Sequence, residues 1–307
     1  TFNTGIEFAT LKGRLRSSVE YYNALTSNLF LDRQLSRTSG FSSIVTNIGE
    51  LQNRGVEFSL DGDLVRVGDF TWTANVSLTR NWNRIISLVG GQQEIIGGNF
   101  INRVGEQMNS LYVVRFAGVN PANGNAQYVR LDGELTETFN PADRVIVGTT
   151  EAPFFGGFGT ALRFKGFEAN AFFSFVSGNV IFNNDRNNVE NPAYFFDNMS
   201  ADLVNEWKQP GDITNIPRPG NTFRANTTRF VENGDFLRLR NLNVSYSLPN
   251  SVVSAVKLRS VRVFMQGQNL FTWTQFRGFD PEITSGTLAG AQYPALRTVT
   301  FGLNIGL

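Results

Sequence analysis

Alternation of apolar and polar residues with a period of two limits the fold of this 307-residue chain more than any other feature. It is clearest over residues 70–79, where every second residue is apolar: Phe70, Trp72, Ala74, Val76 and Leu78. The residues between them carry hydroxyl or amide groups. Successive side chains of a β-strand point to opposite faces, so the pattern predicts a strand with one apolar and one polar face.

The alternating segments come in pairs separated by short turns. Residues 56–65 precede residues 70–79, with Gly68-Asp69 as the expected turn, and Lys165-Gly166 is expected to join residues 154–164 to 167–175. In the first of these segments Val56, Phe58, Leu60 and Leu64 are assigned to the apolar face, and Glu57, Ser59, Asp61 and Val65 to the polar face. Further strands are expected over 11–21, 236–248, 259–271 and 298–307, with a β-bulge near Arg240-Asn241. About a dozen strands result in all.

Long intervals separate the pairs, at 81–102, 120–150, 178–232 and 277–294. They are rich in Asn, Gly, Pro and Asp, lack helical periodicity and are expected to be loops. Strands of about ten residues can cross a bilayer when tilted, and short turns on one side with long loops on the other are typical of outer-membrane barrels. A soluble sandwich has shorter strands and connections. The predicted fold is an all-β, antiparallel transmembrane β-barrel.

Composition fixes which face would meet lipid. The chain is 41% hydrophobic with 28 Phe, yet no apolar run reaches the length of a transmembrane helix. Charged residues on the polar faces would be costly against lipid, so the polar side is expected to line a wet or plug-filled lumen. The candidate lumen-facing or plug-facing residues are Arg14, Arg16, Glu57, Asp61, Arg163, Glu168, Arg238 and Arg240.

Composition also limits the chemistry. The formal net charge is +1, which does not favour nucleic acid binding. Cys and His are absent, so thiolate and imidazole metal ligands, disulfides and Ser-His or Cys-His nucleophile pairs are excluded. Serine–lysine or paired-carboxylate catalysis has no supporting spacing. No enzyme activity, cofactor or catalytic residue is expected.

Ordered motifs along nearly the whole chain carry a family resemblance. They are Asn47–Glu57, Val104–Glu106 with Tyr112, Ala117–Pro121, Pro153–Phe158, Lys165–Phe167, Trp207–Asp212 with Pro217-Arg218, Phe236–Leu242, Tyr246–Pro249, Gly267–Thr272 and Gly278–Glu282. In order and spacing they resemble the C-terminal half of the SusC/RagA family of TonB-linked outer-membrane transporters. The resemblance implies that residues 1–307 are the C-terminal part of one roughly 22-stranded, plugged barrel domain. The plug and the N-terminal strands would lie outside this chain.

The function that the resemblance implies is active uptake across the outer membrane of a Gram-negative bacterium. A SusD-like surface lipoprotein would close over the barrel, and TonB would act through the missing N-terminal part. The substrate would be an oligosaccharide or a peptide. A structural or secretion-linked barrel without import is the main alternative, ahead of a passive porin and an outer-membrane hydrolase.

Several loop segments have two interpretations. Asn183–Asn188 with Glu190 offers oxygen ligands for Ca²⁺ but fits no EF-hand spacing, so a solvated loop is favoured. Gly278–Glu282 contains two carboxylates and is better explained as a loop brace than as an acid–base pair. Arg238 and Arg240 could bind an anionic substrate, although pairing with plug carboxylates or lumen lining is favoured.

Aromatic and amide residues in the loops are the types that stack on sugar rings or bond peptide backbones. The candidate substrate-binding residues are Tyr194, Phe195, Phe196, Asn198 and Trp207. The alternative is a place in the membrane interface, where Trp and Tyr are common.

Overall fold

The computed structural model describes residues 1–28, 30–34, 37–41, 43–47, 49–190, 198–219, 226–255, 257–282, 288–289 and 293–307. Almost all regular structure within these ranges is β-strand. In the described ranges, no helix is both long and apolar enough to cross a membrane.

Twenty strands are formed by the described residues. They are β1 (Phe2–Thr10), β2 (Leu15–Ser27), β3 (Phe30–Gln34), β4 (Ser43–Asn47), β5 (Gly49–Val67), β6 (Phe70–Leu88), β7 (Glu94–Gly97), β8 (Phe100–Arg103), β9 (Ser110–Val119), β10 (Ala126–Val129), β11 (Leu135–Thr136), β12 (Arg144–Thr149), β13 (Phe154–Phe164), β14 (Phe167–Ser177), β15 (Val180–Asn183), β16 (Val231–Asn233), β17 (Phe236–Ser247), β18 (Ser260–Thr274), β19 (Leu288–Ala289) and β20 (Thr298–Gly306).

The helices are short. The two α-helices are α1 (Asn184–Val189) and α2 (Asn250–Ala255). Single 3₁₀ turns occur at Arg37–Ser39, Val89–Gly91, Pro141–Asp143, Ala201–Asn205 and Thr228–Phe230.

Nine long strands form one antiparallel sheet, which we call the wall sheet. Its order is β1-β2-β5-β6-β13-β14-β17-β18-β20. Every neighbouring pair follows the order of the chain, as in an up-and-down meander. This confirms the predicted all-β antiparallel fold, with nine wall strands and eleven other strands instead of about a dozen of one kind.

The connections alternate in length as predicted. Leu11–Arg14, Gly68-Asp69 and Lys165-Gly166 are tight turns on one side, and α2 lies in the connection on that side between β17 and β18. Gly68 and Gly166 have φ values of +55° and +85°, which a residue without a Cβ adopts easily. The opposite side carries the long connections 89–153 and 178–235.

The wall sheet has one apolar face and one polar face, each continuous across strands. In register, Phe58 lies opposite Leu78, Val76 opposite Phe158, and Phe158 opposite Phe173. Phe158 and Phe173 stack with ring centroids 4.9 Å apart. The alternation read from single strands therefore adds up to one surface.

Two rows of aromatic side chains border the apolar face. The row nearest the tight turns contains Phe70 and Phe164, whose ring centroids are 6.4 Å apart, and the row nearest the long connections contains Trp82, Phe154 and Trp273. At about 3.3 Å per residue, Phe70 and Trp82 are roughly 40 Å apart along β6. For a strand tilted by ~45° this is ~28 Å along the membrane normal, close to the height of the apolar band in outer-membrane barrels.

The structure corrects several local predictions. Leu11–Arg14 is a turn and not the start of a strand, because Leu11, Lys12 and Gly13 have φ values of +54°, +59° and +81°. The β5–β6 register shifts between Asp63 and Val65, and this bulge places Val65 opposite Trp72 and not with the polar set. The predicted bulge near Arg240 is confirmed by register shifts on both sides of β17.

The long intervals are more ordered than predicted. Residues 81–88 continue β6, and the described parts of 89–153 and 178–235 contain the strands β7–β12, β15 and β16 together with α1. We call these two connections the loop layer. It holds most of the fully buried apolar residues in the described ranges: Ile101, Leu111, Val113, Val114, Phe182 and Phe230. Alternation is weak in β9 and β15, which carry most of this core, because both of their faces are covered.

Candidate functional site

The polar face of the wall sheet carries charged side chains at matching registers. Arg16 lies opposite Asp61 on β2 and β5, and the Arg163 guanidinium donates to Glu168 across the β13–β14 turn at 3.1 Å. Glu168 also accepts from Arg262 on β18. Glu57 is exposed on the same face. These predicted residues share one face, whereas Arg14 lies in the β1–β2 turn and donates to the Asp63 carbonyl.

Arg238 is the most buried cation of the wall sheet, with 2% of its surface exposed. Its Nε donates to Thr272 Oγ1 at 3.0 Å on the neighbouring strand β18. One terminal nitrogen donates to Glu282 Oε2 at 2.8 Å and the other to Asp280 Oδ1. The guanidinium therefore ties a wall strand to the segment that follows β18.

The bulge at Arg240 gives this anchor a second cation. Strict alternation would point Leu239 and Asn241 to one face and the two arginines to the other. The extra residue instead lets Arg238, Arg240 and Asn241 all reach the polar side. Arg240 Nε donates to Ser174 Oγ at 2.8 Å, and its terminal nitrogen donates to Glu282.

Asp280 is held as a carboxylate by this geometry. Burial alone would raise its pKa, but the hydrogen bond from Arg238 and those from the backbone N–H groups of Glu282 and Ala295 lower the pKa below its ordinary value. Removing one partner from a buried, hydrogen-bonded ion pair typically costs 3–5 kcal/mol. The loop-brace interpretation of Gly278–Glu282 fits this arrangement. The carboxylates that Arg238 and Arg240 contact in the described residues belong to this chain, and pairing with plug carboxylates or lumen lining stays a prediction.

A second ion cluster lies inside the loop layer. Glu190, 2% exposed, accepts from Arg186 Nε at 2.6 Å and from Arg229 at 2.6 Å, and Arg186 also donates to Glu232 at 2.9 Å. Burial lowers the pKa of Arg229 to about 10, against the attraction of Glu190, so Arg229 stays charged at neutral pH. Arg277 extends the cluster by donating its backbone N–H to Glu232 and pairing with Asp202.

This cluster corrects the interpretation of Asn183–Glu190 as a solvated loop. Residues 184–189 form α1, and Asn183 caps its start by accepting from the Arg186 backbone N–H at 2.9 Å. Glu190 is used as an ion-pair partner, not as a free ligand. Across the described residues, no group of three or more acidic, His or Cys side chains is placed to hold a metal ion.

Trp207 joins its own loop to the loop that contains Pro121 and Gly124. Its indole Nε1 donates to the Pro121 carbonyl at 3.0 Å, and its ring packs against Gly124, which has a φ of +75°. A Cβ at position 124 would overlap the ring.

Asn198, another candidate substrate-binding residue, is exposed. The other candidate substrate-binding residues, Tyr194, Phe195 and Phe196, lie outside the described residues.

An asparagine cluster braces the loop that Trp207 covers. Asn120, Asn123 and Asn125 each donate an amide N–H to the Glu137 carboxylate, at 2.6, 3.0 and 2.7 Å. These bonds, strongest from Asn125, lower the pKa of Glu137. Sequence reasoning did not identify this cluster or the Arg186–Arg229 cluster, because most of their bonded pairs lie 12 to 46 residues apart in the sequence.

The geometry is that of a two-faced wall with braced loops on one side. A family model described as TonB dependent receptor-like, beta-barrel matches residues 1–150. TonB-dependent receptor P3 of Formosa agariphila is 34% identical over 98% of this chain, and TonB-dependent receptor SusC of Bacteroides thetaiotaomicron is 27% identical over 99%. The solved RagAB peptide transporter superposes with a TM-score of 0.90 over 99% of this chain at 28% identity.

Residues 1–150 thus match the β-barrel of TonB-dependent receptors, and the whole chain is similar to members of that class. It is also similar to SusC and to the RagAB transporter, in agreement with the resemblance that the sequence motifs carry. It spans about a third of the length of these relatives: 33% of P3, 31% of SusC and 35% of the RagAB chain. The relatives are receptors and transporters and not enzymes, which agrees with the absence of a predicted catalytic site.

Proposed function

We propose that the whole protein is an importer of the bacterial outer membrane, energised by TonB, that takes up oligosaccharides or peptides with a SusD-like surface lipoprotein. Residues 1–307 would supply the C-terminal part of its barrel wall and several surface loops. The plug and the TonB-contact segment would lie in the remaining part of the protein.

The observation that carries this proposal is the match of the whole chain to a solved peptide transporter, at a TM-score of 0.90. The wall supports it, because the apolar face between its two aromatic rows has the height of a bilayer core. The loops support it as well, since buried ion pairs hold them in a fixed arrangement above the wall. A fixed surface can present side chains to a large ligand at low entropic cost.

The experiment is a deletion of the full-length gene in its own host, followed by growth on single oligosaccharides or peptides as nutrient source. Import predicts loss of growth on one substrate class, and restoration by the wild-type gene but not by a form lacking the TonB-contact segment. A matched control carries Lys12→Gln, in the exposed β1–β2 turn, and should restore growth fully. Unchanged growth and uptake on every substrate would refute import and favour the structural or secretion-linked alternative.

The partner is tested on the same material. The receptor is purified from native outer membranes in mild detergent, and proteins bound to it in stoichiometric amount are identified by mass spectrometry. A surface lipoprotein at one copy per barrel is expected. Copurification with secretion components alone would count against import.

A further inference from the structure

Three arginines interrupt the apolar face of the wall sheet. Arg54 on β5 and Arg80 and Arg84 on β6 share the strand face of Val56, Leu78 and their alternating neighbours. Arg54 lies opposite Trp82 in register, and Arg80 and Arg84 flank Trp82 on β6. All three arginines are exposed. The result is a group of cations around one indole ring on the side that meets lipid.

The depth of this group in the membrane follows from its position in the aromatic row nearest the long connections. Arg80 lies opposite Phe154, and its guanidinium carbon is 5.1 Å from the centre of the Trp82 ring. Arg84 is four residues further along β6 toward the long connections, and its guanidinium lies beside Gly105. In an outer-membrane barrel the long connections are extracellular, so the group lies at the headgroup level of the outer leaflet.

Nothing in the described parts of the chain neutralises these charges. Arg54, Arg80 and Arg84 make no hydrogen bond or ion pair with any described residue, whereas Arg238 and Arg186 each pair with two carboxylates. Cations on a lipid-facing surface are costly near the bilayer centre and become favourable only where anionic headgroups meet them. A counter-charge for these arginines is therefore to be sought outside the described residues.

Neighbouring amides widen the polar patch. Asn23 lies opposite Arg54, Gln52 lies opposite Arg84, and Gln52 Nε2 donates to Asn23 Oδ1 at 2.9 Å. One amide N–H₂ and one amide oxygen of this pair remain directed to the surroundings. Guanidinium groups suit phosphate oxygens, and amides suit sugar hydroxyls. Both chemistries occur together in a phosphorylated sugar headgroup.

We propose that Arg54, Arg80 and Arg84, with Asn23 and Gln52 beside them, form a binding site for a phosphorylated glycolipid of the outer leaflet. The site rests on the outer-membrane location in the proposed function, but it does not depend on import or on substrate identity. It faces away from the polar side of the wall, where substrate would pass.

The test uses the full-length receptor purified from its own outer membrane, with bound glycolipid quantified by mass spectrometry per barrel. R54Q/R80Q/R84Q is expected to lower the amount of bound glycolipid about tenfold or more, because each arginine near an anionic surface strengthens binding severalfold. R54K/R80K/R84K keeps the charges and should retain most of it. K12Q/K165Q/K257Q removes three exposed cations from the opposite side and should leave it unchanged.

A second measurement uses the wild-type receptor alone, exchanged into detergent and titrated with glycolipid before and after enzymatic removal of its phosphates. Tight binding of the phosphorylated form only is expected. Equal binding of both forms, equal competition by phosphatidylglycerol, or unchanged glycolipid in the glutamine variant would overturn the proposal. Unchanged growth of the gene deletion on every substrate, with glycolipid bound to the wild-type receptor as expected, would refute import and leave this site standing.

Discussion

The same apolar residue types are exposed in the wall sheet and buried in the loop layer. Phe271 and Val263 of the wall are 55% and 48% exposed, whereas Phe230 and Val114 of the loop layer are fully buried. A soluble protein could not expose a continuous surface of the first kind. The difference indicates that the apolar face of the wall is suited to contact with lipid. The loop layer instead has a small core of its own that excludes water.

The largest expected effect breaks the loop-layer core. Phe230→Ala removes a ring packed against Leu111 and Phe182 and should destabilise the loop layer by about 3–5 kcal/mol. Hydrogen exchange on the full-length receptor in detergent should show faster exchange over β9 and β15, with the wall unchanged. Phe301→Ala, on the exposed side of β20, is the matched control. Equal loosening of wall and loops in both variants would contradict the comparison.

The anchor between the wall sheet and the segment after β18 should come next. Asp280→Ala leaves the buried Arg238 with Glu282 as its remaining carboxylate, and the expected cost is about 3 kcal/mol. Limited proteolysis should then cut the segment after β18 while the wall stays resistant. Glu151→Ala removes an exposed carboxylate from another long connection and should leave the cleavage pattern unchanged. Resistance of the Asp280 variant would show that the anchor is dispensable.

A pH series sharpens the same point. The pKa of Asp280 is lowered in the folded state, so its contribution to stability is complete above the ordinary carboxyl pKa of ~3.9 and is lost as pH falls through the lower folded value. Proteolysis of the segment after β18 should thus be constant from about pH 5 to 8 and rise only below about pH 4. An Asp280→Asn receptor should lose this acid-induced rise, and a rise already at pH 6 would point to another group.

The smallest effect concerns exposed charge pairs of the wall. The side chain of Arg163 is 67% exposed, so Arg163→Gln should change the thermal midpoint very little, by less than about 1 kcal/mol in stability. Raising the salt concentration should have an equally small effect on the wild type. A loss comparable with that of Asp280→Ala would mean that exposure does not distinguish the two kinds of ion pair.

The wall was predictable because each of its faces meets one environment over many residues. The turns at Gly68 and Lys165, the bulge at Arg240 and the strand from Thr298 all followed from period-two alternation and turn residues. Two errors, at Leu11 and Val65, came from a turn without Pro or Asn and from a bulge without Gly. Alternation alone gives no sign of either.

The loop layer could not be predicted in the same way. Its core strands β9 and β15 are covered on both faces, and its stabilising pairs join distant positions, such as Glu190 with Arg229 and Trp207 with Pro121. The sequence pattern marked Arg238 and Asp280 as separate motifs, but only the structure shows that they pair. Conversely, the charges at Arg54, Arg80 and Arg84 were visible in the sequence and had no meaning until their face was known.

The two-residue turn at Gly68-Asp69 also affects the order in which parts of the protein fold. It lets β5 and β6 pair from Val67 and Phe70 onward using contacts that are close in sequence, so loop-closure entropy is small at every step. The Val114–Thr227 bridge in the loop layer, by contrast, closes a span of more than a hundred residues. Chains rich in local contacts fold faster. We therefore expect the wall hairpins to form first and the loop layer to fold last.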